Sequence, residues 1–213
     1  MTEKKLTTFY IVRHGETDWN NKKVVQGHTD IPLNKTGQNQ AKEIAKKFKD
    51  IKFDLAFSSD LLRTKHTAEI ILLERKLVVE TTKVLRERYF GSLEGKHVSV
   101  LHSHMQLLRQ LNKEARVKHK IAGEVESDDE FSSRILTFLR ETAVSYPGKT
   151  IFVSAHGGTI RQLLIHLGEL TYEQSDIITV INTGYIKLET DGVDFFVKEK
   201  AGIKKRKEIP ESV

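Results

Sequence analysis

The chain has 213 residues, 38% of them hydrophobic and 30% charged, which predicts a single globular domain spanning residues 1–213. It contains no cysteine, so disulfides, cysteine-ligated metal centres and cysteine nucleophiles are excluded. The longest apolar run near the N-terminus, residues 9–12, is too short for a signal peptide or a membrane span. We therefore expect a soluble, cytoplasmic protein with no membrane partner.

The net charge of +6 is concentrated near the C-terminus. Between Lys198 and Lys207, six basic residues and one acid contribute five of the six net charges. The rest of the chain is close to neutral, so no nucleic-acid partner is expected. We interpret the basic C-terminal tail, residues 198–213, as a solvated and frayed terminus. A nuclear-import patch or a weak polyanion contact at residues 204–207 is the alternative.

The predicted elements alternate between strands and helices. Short β-branched or aromatic runs that end in polar turns predict strands, and apolar residues spaced i, i+3, i+4 predict helices. Ser59 or Asp60 is placed to cap the second helix. In chain order the elements are a strand at 8–12, a helix at 36–49, a strand at 55–57, a helix from about 60 to 73, strands at 77–79 and 150–153, a helix at 160–167, and strands at 177–181, 185–188 and 195–197.

This alternation predicts a three-layer α/β/α fold, in which a mainly parallel sheet carries helices on both faces. The last strand segments are expected to form an antiparallel hairpin at one edge. Residues 97–145 are helical in pattern, without a convincing strand, and too long for one crossover connection. We predict that this stretch is a helical excursion over the C-terminal ends of the strands.

Chemically capable side chains follow three of the predicted strands. Arg13 and His14 follow the first, Arg63 follows the second, and His156 follows the strand at 150–153. In open α/β sheets, ligands bind beyond the carboxyl ends of the strands. Helices that begin there direct free N–H groups toward the same point. The sequence therefore predicts a pocket for a dianion, with phosphate as the obvious candidate.

The same residues belong to an ordered set of short motifs. The set consists of Arg13-His14-Gly15-Glu16-Thr17, Asn20, Gln26-Gly27, Leu33-Asn34-Lys35-Thr36-Gly37, Ser58-Ser59-Asp60-Leu61-Leu62-Arg63-Thr64, Leu85-Arg86-Glu87 and His156-Gly157-Gly158. Taken in this order, it resembles the histidine phosphatase superfamily, the phosphoglycerate-mutase-like family. The resemblance covers about residues 9–96 and 150–187.

The resemblance implies a phosphohistidine mechanism. His14 would be the nucleophile that attacks phosphorus. Arg13, Arg63 and His156 would hold the oxygens on which charge accumulates during transfer. Glu87 would protonate the leaving alkoxide and then activate water. The substrate side would be lined by Asn20, Gln26, Gly27 and Gly157. The arginines supply the positive charge, so no metal and no cofactor are implied.

Two departures from the family mutases favour a phosphatase. Those mutases carry a lysine shortly after the acid motif and an adjacent arginine pair in the excursion. Here Val98 stands near the expected place of the lysine, and residues 98–130 contain no Arg-Arg pair. We therefore predict a phosphomonoesterase acting on a small-molecule phosphate ester. A phosphoglycerate mutase and a catalytically silent phosphate-binding protein remain the alternatives.

The sequence also suggests a narrower substrate class than small phosphate esters in general. Residues 57–64, residues 85–96 and the helix that follows resemble TIGAR-type fructose-2,6-bisphosphatases, which implies a sugar bisphosphate, although this chain is shorter through 112–130. A group of basic side chains there either faces a second phosphate or forms a solvated helix face. The group comprises Arg109, Lys113, Arg116, Lys118 and Lys120. An edge strand would also allow a homodimer.

Overall fold

A six-stranded mixed sheet forms the centre of the fold in the computed structural model, which describes residues 5–205. Its strands are β1 (Thr7–Arg13), β2 (Leu55–Ser59), β3 (Val79–Thr82), β4 (Thr150–Ala155), β5 (Ile178–Thr190) and β6 (Phe195–Lys205). They lie side by side in the order β3-β2-β4-β1-β5-β6. The first four strands of that order are parallel, whereas β5 and β6 form an antiparallel hairpin at the edge. The predicted mainly parallel sheet is confirmed.

Helices cover both faces of the sheet, which confirms the three-layer architecture. They are α1 (Asp18–Asn21), α2 (Lys35–Lys47), α3 (Leu62–Leu72), α4 (His102–Gln110), α5 (Lys113–Lys118), α6 (Asp128–Ser145), α7 (Gly157–His166) and α8 (Tyr172–Asp176). Helices α2 and α3 pack on one face, and α6 and α7 pack on the other. Among the described residues, no helix is both long and apolar enough to cross a membrane.

Strand β1 shows how the sheet separates two apolar cores. Phe9 and Ile11 belong to the cluster under α6 and α7, whereas Tyr10 and Val12 belong to the cluster under α2 and α3. Successive side chains of a strand point to opposite faces, so a strand covered on both faces is apolar at every position. Burial of each such side chain contributes roughly 1.5–3 kcal/mol to the free energy of folding. These cores hold the ends of β1, β2 and β4 together.

The predicted helical excursion is shorter than the sequence pattern indicates. Helix α6 is not part of it, because Phe131, Ile135 and Leu139 are buried in the core beneath α6 and α7. Their spacing of four residues places them on one side of the helix. Only residues 97–125 form a separate helical unit, around a small cluster that includes Leu108 and Val125. The prediction of one excursion through residue 145 was wrong in its second half.

The basic tail is also different from the prediction. Lys198 to Lys205 lie in β6, which pairs with β5, so the expectation of a frayed terminus is wrong for these residues. Phe195, Val197 and Ile203 pack against the core, and this apolar contact anchors the strand. Arg206 and Lys207 lie outside the described residues.

The N-terminus of α3 is capped by a residue that is distant in the chain and not by a residue next to the helix. Its N-cap residue is Leu61, which makes no side-chain capping bond. Instead, Asp30 Oδ1 accepts a hydrogen bond from the Leu62 N–H at 2.7 Å. Asp60 is engaged by Arg86, whose guanidinium donates to it at 2.6 and 2.7 Å. The prediction that Ser59 or Asp60 caps this helix was wrong. Asp60 has a stronger, charged partner, and Ser59 Oγ accepts only from the N–H of Leu61, which precedes the helix.

Candidate active site

The five predicted catalytic residues lie at one edge of the sheet, beyond the carboxyl ends of the parallel strands. Arg13 ends β1 and His14 follows it, while Arg63 lies in the first turn of α3, after β2. His156 is the N-cap residue of α7, after β4. The rings of His14 and His156 are 5.4 Å apart between centroids. Glu87 follows the short turn after β3 and reaches the start of α7 through Gly158.

His14 is buried, with 3% of its surface exposed. Its Nδ1 lies 2.6 Å from the carbonyl oxygen of Gly15, which assigns the ring proton to Nδ1 and leaves a lone pair on Nε2. Burial, followed by the charges of Arg63 and Arg13, holds the pKa of His14 well below its ordinary 6.5. The imidazole is therefore neutral at pH 7, as a nitrogen nucleophile must be.

Arg63 supplies a buried positive charge to the site. It is fully buried, and its Nη1 and Nη2 donate to the carbonyl oxygens of Thr29 and Gly27 at 2.8 and 2.7 Å. Both acceptors are neutral, so these bonds orient the guanidinium without cancelling its charge. Burial lowers the pKa of Arg63 to about 10, which still leaves it protonated at pH 7. Such a charge stabilises an anion strongly in a water-poor site.

Arg13 and His156 complete the polar wall. Arg13 Nη1 donates to the carbonyl oxygen of Val180, and burial lowers the pKa of Arg13 to about 10. His156 is completely buried, and burial, together with the charge of Arg63, lowers its pKa well below 6.5. Among residues 5–205, no hydrogen-bond partner is found for Arg13 Nε, Arg63 Nε or either ring nitrogen of His156. Unpaired buried polar groups are costly, so their convergence at one place indicates a polar ligand.

Glu87 is held at the N-terminus of α7. Its carboxylate accepts hydrogen bonds from the N–H groups of Gly158 at 3.0 Å and Arg88 at 2.8 Å. Its carbonyl oxygen accepts from His28 Nε2 at 2.9 Å and from Arg134 Nη2 at 3.0 Å. A Cβ at Gly158 would lie only 2.2 Å from Glu87 Oε1, so glycine is needed there for the close approach.

The four predicted substrate-side residues have mainly supporting contacts. Asn20 Oδ1 accepts from the Thr17 N–H, which closes a capping box on α1. Gln26 is 9% exposed, and its Oε1 has no partner among the described residues. The carbonyl oxygen of Gly27 binds Arg63. Gly157 begins α7, where a Cβ would come within 3.2 Å of Arg13 Cδ.

Three residues that organise the site were not predicted. Glu94 accepts four hydrogen bonds, which come from the His28, Phe90 and Thr29 N–H groups and from the Thr29 hydroxyl. It thereby fixes the loop that orients Arg63. The one sequence signal for Glu94 was that it lies within residues 85–96, which resemble a known phosphatase type.

Arg134 and Asn182 act on the site from distant elements. Arg134 donates to the carbonyl oxygens of Val84, Arg86 and Glu87, and it pairs with Glu126 at 2.6 Å. Asn182 binds the carbonyl oxygen of His14. Nothing in the sequence around either residue signals these contacts.

The basic group between Arg109 and Lys120 is largely engaged within the protein. Arg109 and Arg116 pair with Asp176 at 2.9 and 3.6 Å, and Lys120 pairs with Glu130 at 2.7 Å. Arg116 also stacks over the ring of Tyr172 at 4.0 Å. Lys113 and Lys118 are exposed. This arrangement gives no support to the prediction that the group faces a second phosphate.

The fold and the site together define an α/β protein with a preorganised cluster of arginine and histidine side chains at the carboxyl ends of its parallel strands. Among residues 5–205, no group of three or more His, Asp or Glu side chains is placed to hold a metal ion. The family model described as histidine phosphatase superfamily (branch 1) matches residues 9–201, so the chain belongs to this superfamily. It is a hydrolase of the phosphatase type, as the names of its relatives indicate.

Two curated relatives and one solved structure illustrate the similarity. The uncharacterized phosphatase PhoE of Bacillus subtilis is 35% identical, covering 76% of this chain and 78% of its own. The broad-specificity phosphatase YOR283W of Saccharomyces cerevisiae is 30% identical, covering 92% of this chain and 86% of its own. A crystal structure of phosphoglycerate mutase from Bacillus anthracis superposes with a TM-score of 0.78 at 28% identity, covering 94% of this chain and 95% of that one.

Proposed function

We propose that this protein is a metal-independent phosphomonoesterase that works through a phosphohistidine on His14. The observation that carries the proposal is the state of His14, a neutral imidazole whose Nδ1 is engaged by Gly15 and whose Nε2 is free to attack. Two guanidinium groups, of half-buried Arg13 and fully buried Arg63, stand beside it. This combination suits attack on a phosphate dianion, because the nucleophile is uncharged while its surroundings are cationic.

In the first half-reaction, His14 Nε2 attacks phosphorus and the bond from phosphorus to the ester oxygen breaks. Glu87 gives its proton to the departing alkoxide, so the product leaves as a neutral alcohol. Arg13 and Arg63 hold the phosphoryl oxygens while charge shifts among them. The Nδ1–H bond to Gly15 stabilises the positive ring of the phosphohistidine.

In the second half-reaction, water replaces the alcohol. Glu87, now a carboxylate, takes a proton from the water as it attacks phosphorus, and the bond between phosphorus and Nε2 breaks. Inorganic phosphate leaves, and both His14 and Glu87 return to their starting states. No step requires a metal ion, since the guanidinium groups provide the stabilising charge.

The substrates we propose are small phosphorylated metabolites. The name of the yeast relative, a broad-specificity phosphatase, supports an enzyme with several substrates. The narrower prediction of a TIGAR-type sugar bisphosphatase stays a prediction. The expectations of a cytoplasmic location, of no nucleic-acid or membrane partner and of a homodimer also stay predictions.

A phosphoglycerate mutase is the second candidate, because the Bacillus anthracis structure that superposes well carries that name. A mutase returns the phosphoryl group to substrate and must exclude water. It would therefore need a bisphosphoglycerate primer and would release little phosphate.

One experiment separates these functions. The EDTA-treated protein is incubated with a chromogenic phosphate ester, fructose bisphosphates, phosphoserine and phosphoglycerates, with and without bisphosphoglycerate. His14→Ala and the exposed-site control His102→Ala are assayed in parallel. We expect phosphate release in the presence of EDTA, loss of that release in His14→Ala only, and an acid-labile phosphoenzyme in the parent protein.

The other outcomes contradict the proposal. Primer-dependent interconversion of phosphoglycerates with little phosphate release would identify a mutase. Binding of phosphate without turnover or phosphoenzyme would identify a silent binding protein. Hydrolysis that persists in His14→Ala would exclude the phosphohistidine mechanism.

A further inference from the structure

A cleft of about 580 Å³ opens beside the segment that carries Glu87. We call it the outer cleft, and it is lined by His28, Tyr89, Lys120, Glu124, Glu126 and Glu130. His28 Nε2 donates to the carbonyl oxygen of Glu87 at 2.9 Å, and Tyr89 lies two residues further along the chain. The backbone of the proposed proton donor, Glu87, therefore borders the outer cleft through its bond to His28.

The charged groups of the outer cleft leave one negative charge uncompensated. Lys120 pairs with Glu130 at 2.7 Å, and Glu126 pairs with Arg134 at 2.6 Å. Glu124 is exposed, and no ion pair to it is found among residues 5–205. An anion entering the cleft would therefore meet a repulsive carboxylate.

The arginines next to Glu87 in the chain do not compensate the negative charge of Glu124. Arg86 forms a two-pronged pair with Asp60, at 2.6 and 2.7 Å. Arg88 pairs with Asp128 and also donates to the carbonyl oxygen of Glu126. Each guanidinium is thus matched by a carboxylate, and paired charges of this kind have only a weak field at a distance.

The wall of the outer cleft that borders Glu87 is aromatic. The rings of His28 and Tyr89 are 5.1 Å apart between centroids, and Tyr89 is 41% exposed. Burial lowers the pKa of His28, so this ring is neutral at pH 7 and adds no positive charge. The face of an exposed aromatic ring such as that of Tyr89 attracts ammonium groups, because the ring quadrupole is negative on its face.

We propose that the outer cleft is the subsite for the leaving alcohol, and that it selects phosphomonoesters whose alcohol carries an ammonium group over those that carry a second anionic group. Glu124 determines this preference, and the His28–Tyr89 wall supports it. The inference rests on the proposed function, because the cleft receives an alcohol only if Glu87 protonates the leaving group. A sugar bisphosphate is a poor substrate under this proposal.

The test uses alkyl phosphates that differ only in the group at the far end of the chain. At two carbons the set is 2-aminoethyl phosphate, 2-hydroxyethyl phosphate and phosphoglycolate, and at six carbons it is the amino, hydroxy and carboxylate analogues. The two lengths allow for the span between phosphorus and Glu124. At one length or both, we expect kcat/KM to fall from ammonium to hydroxyl to carboxylate, with roughly fivefold or more between the extremes.

Charge variants at position 124 identify the residue responsible. Glu124→Gln should remove most of the preference, and Glu124→Lys should reverse it, with each rate expressed relative to that of a chromogenic ester with an uncharged alcohol. The matched control is Glu114→Lys, the same charge change at an exposed position on α5. Thermal melting of each variant checks that the fold is intact.

The outcomes separate this inference from the proposed function. The outer cleft is not a charge-selective subsite if rates are equal within both sets, if the carboxylate is preferred, or if Glu124→Lys keeps the preference of the parent. Hydrolysis of the chromogenic ester in those cases would leave the proposed function standing. Failure to hydrolyse any ester, with no phosphoenzyme, would remove both proposals.

Discussion

The side-chain amide of Asn182 donates a hydrogen bond to the carbonyl oxygen of His14 at 3.1 Å and another to Asn20 Oδ1 at 3.1 Å. Thr183 N–H points to the same His14 carbonyl at 3.4 Å. Thr183 adopts a left-handed backbone with a φ of 58°, which costs a β-branched residue roughly 1–3 kcal/mol. This irregular turn within β5 thus holds the backbone of the nucleophile.

Replacement of Asn182 by Ala should lower kcat more than it raises KM, because the imidazole of His14 loses its alignment while the arginines remain. Loss of one hydrogen bond to a positioned group corresponds to about a tenfold change in rate. Steady-state kinetics on a chromogenic ester measure it, with exposed Asn39→Ala as the control. An unchanged kcat would show that the amide has no positioning role.

Replacement of Gly158 by Ala should displace the carboxylate of Glu87, since the added Cβ would lie 2.2 Å from Oε1 and 2.9 Å from Cδ. We expect a loss of activity of about 100-fold, within the range of general acid catalysis. The activity of Gly158→Ala is compared with that of Glu87→Gln and of the double variant that carries both changes. If Gly158 acts through Glu87, the double variant is no slower than Glu87→Gln alone; an additive loss would contradict this route.

Glu94→Gln should weaken substrate binding, because an amide offers one acceptor oxygen where the carboxylate meets four donors. The loop 26–29 would loosen, and Arg63 would lose its fixed orientation. We expect KM to rise several-fold and the free energy of unfolding to fall by about 1–3 kcal/mol. Glu43→Gln, which removes an exposed pair with Lys46, is the control and should change neither.

The protein should lose stability as the pH falls below about 6.5. The folded-state pKa values of His14 and His156 lie well below the ordinary value, so in acid the unfolded chain binds more protons than the folded one. The stabilisation from these neutral rings is complete above about pH 6.5 and is lost as the pH falls toward their folded-state pKa values.

Urea unfolding between pH 8 and pH 5 measures this dependence. His14→Gln should show a smaller loss of unfolding free energy over the range than the parent protein. His102→Gln, at an exposed position, should behave as the parent does. A loss of the same size in His14→Gln would show that other groups cause it.

The sequence by itself determined the strand and helix alternation and the grouping of four candidate site residues at one edge of the sheet. Residues 9–12 are apolar on both faces, which is typical of a strand that is covered by two layers. Arg13 and His14 lie at the end of β1, His156 directly follows β4, and Arg63 lies in the first turn of the helix after β2. These four could be placed at one edge because parallel strands end on the same side. Glu87 came from the resemblance.

Only the tertiary structure decided which distant residues meet. The pairing of Arg109 with Asp176 joins residues 67 positions apart, and that of Asn182 with His14 joins residues 168 positions apart. Whether an arginine is free to meet a phosphate or is already neutralised depends on such partners, and local sequence carries no record of them. The same holds for residues 198–205, where core packing turns a basic segment into a strand. Local patterns specify elements, whereas charge compensation depends on how those elements are assembled in space.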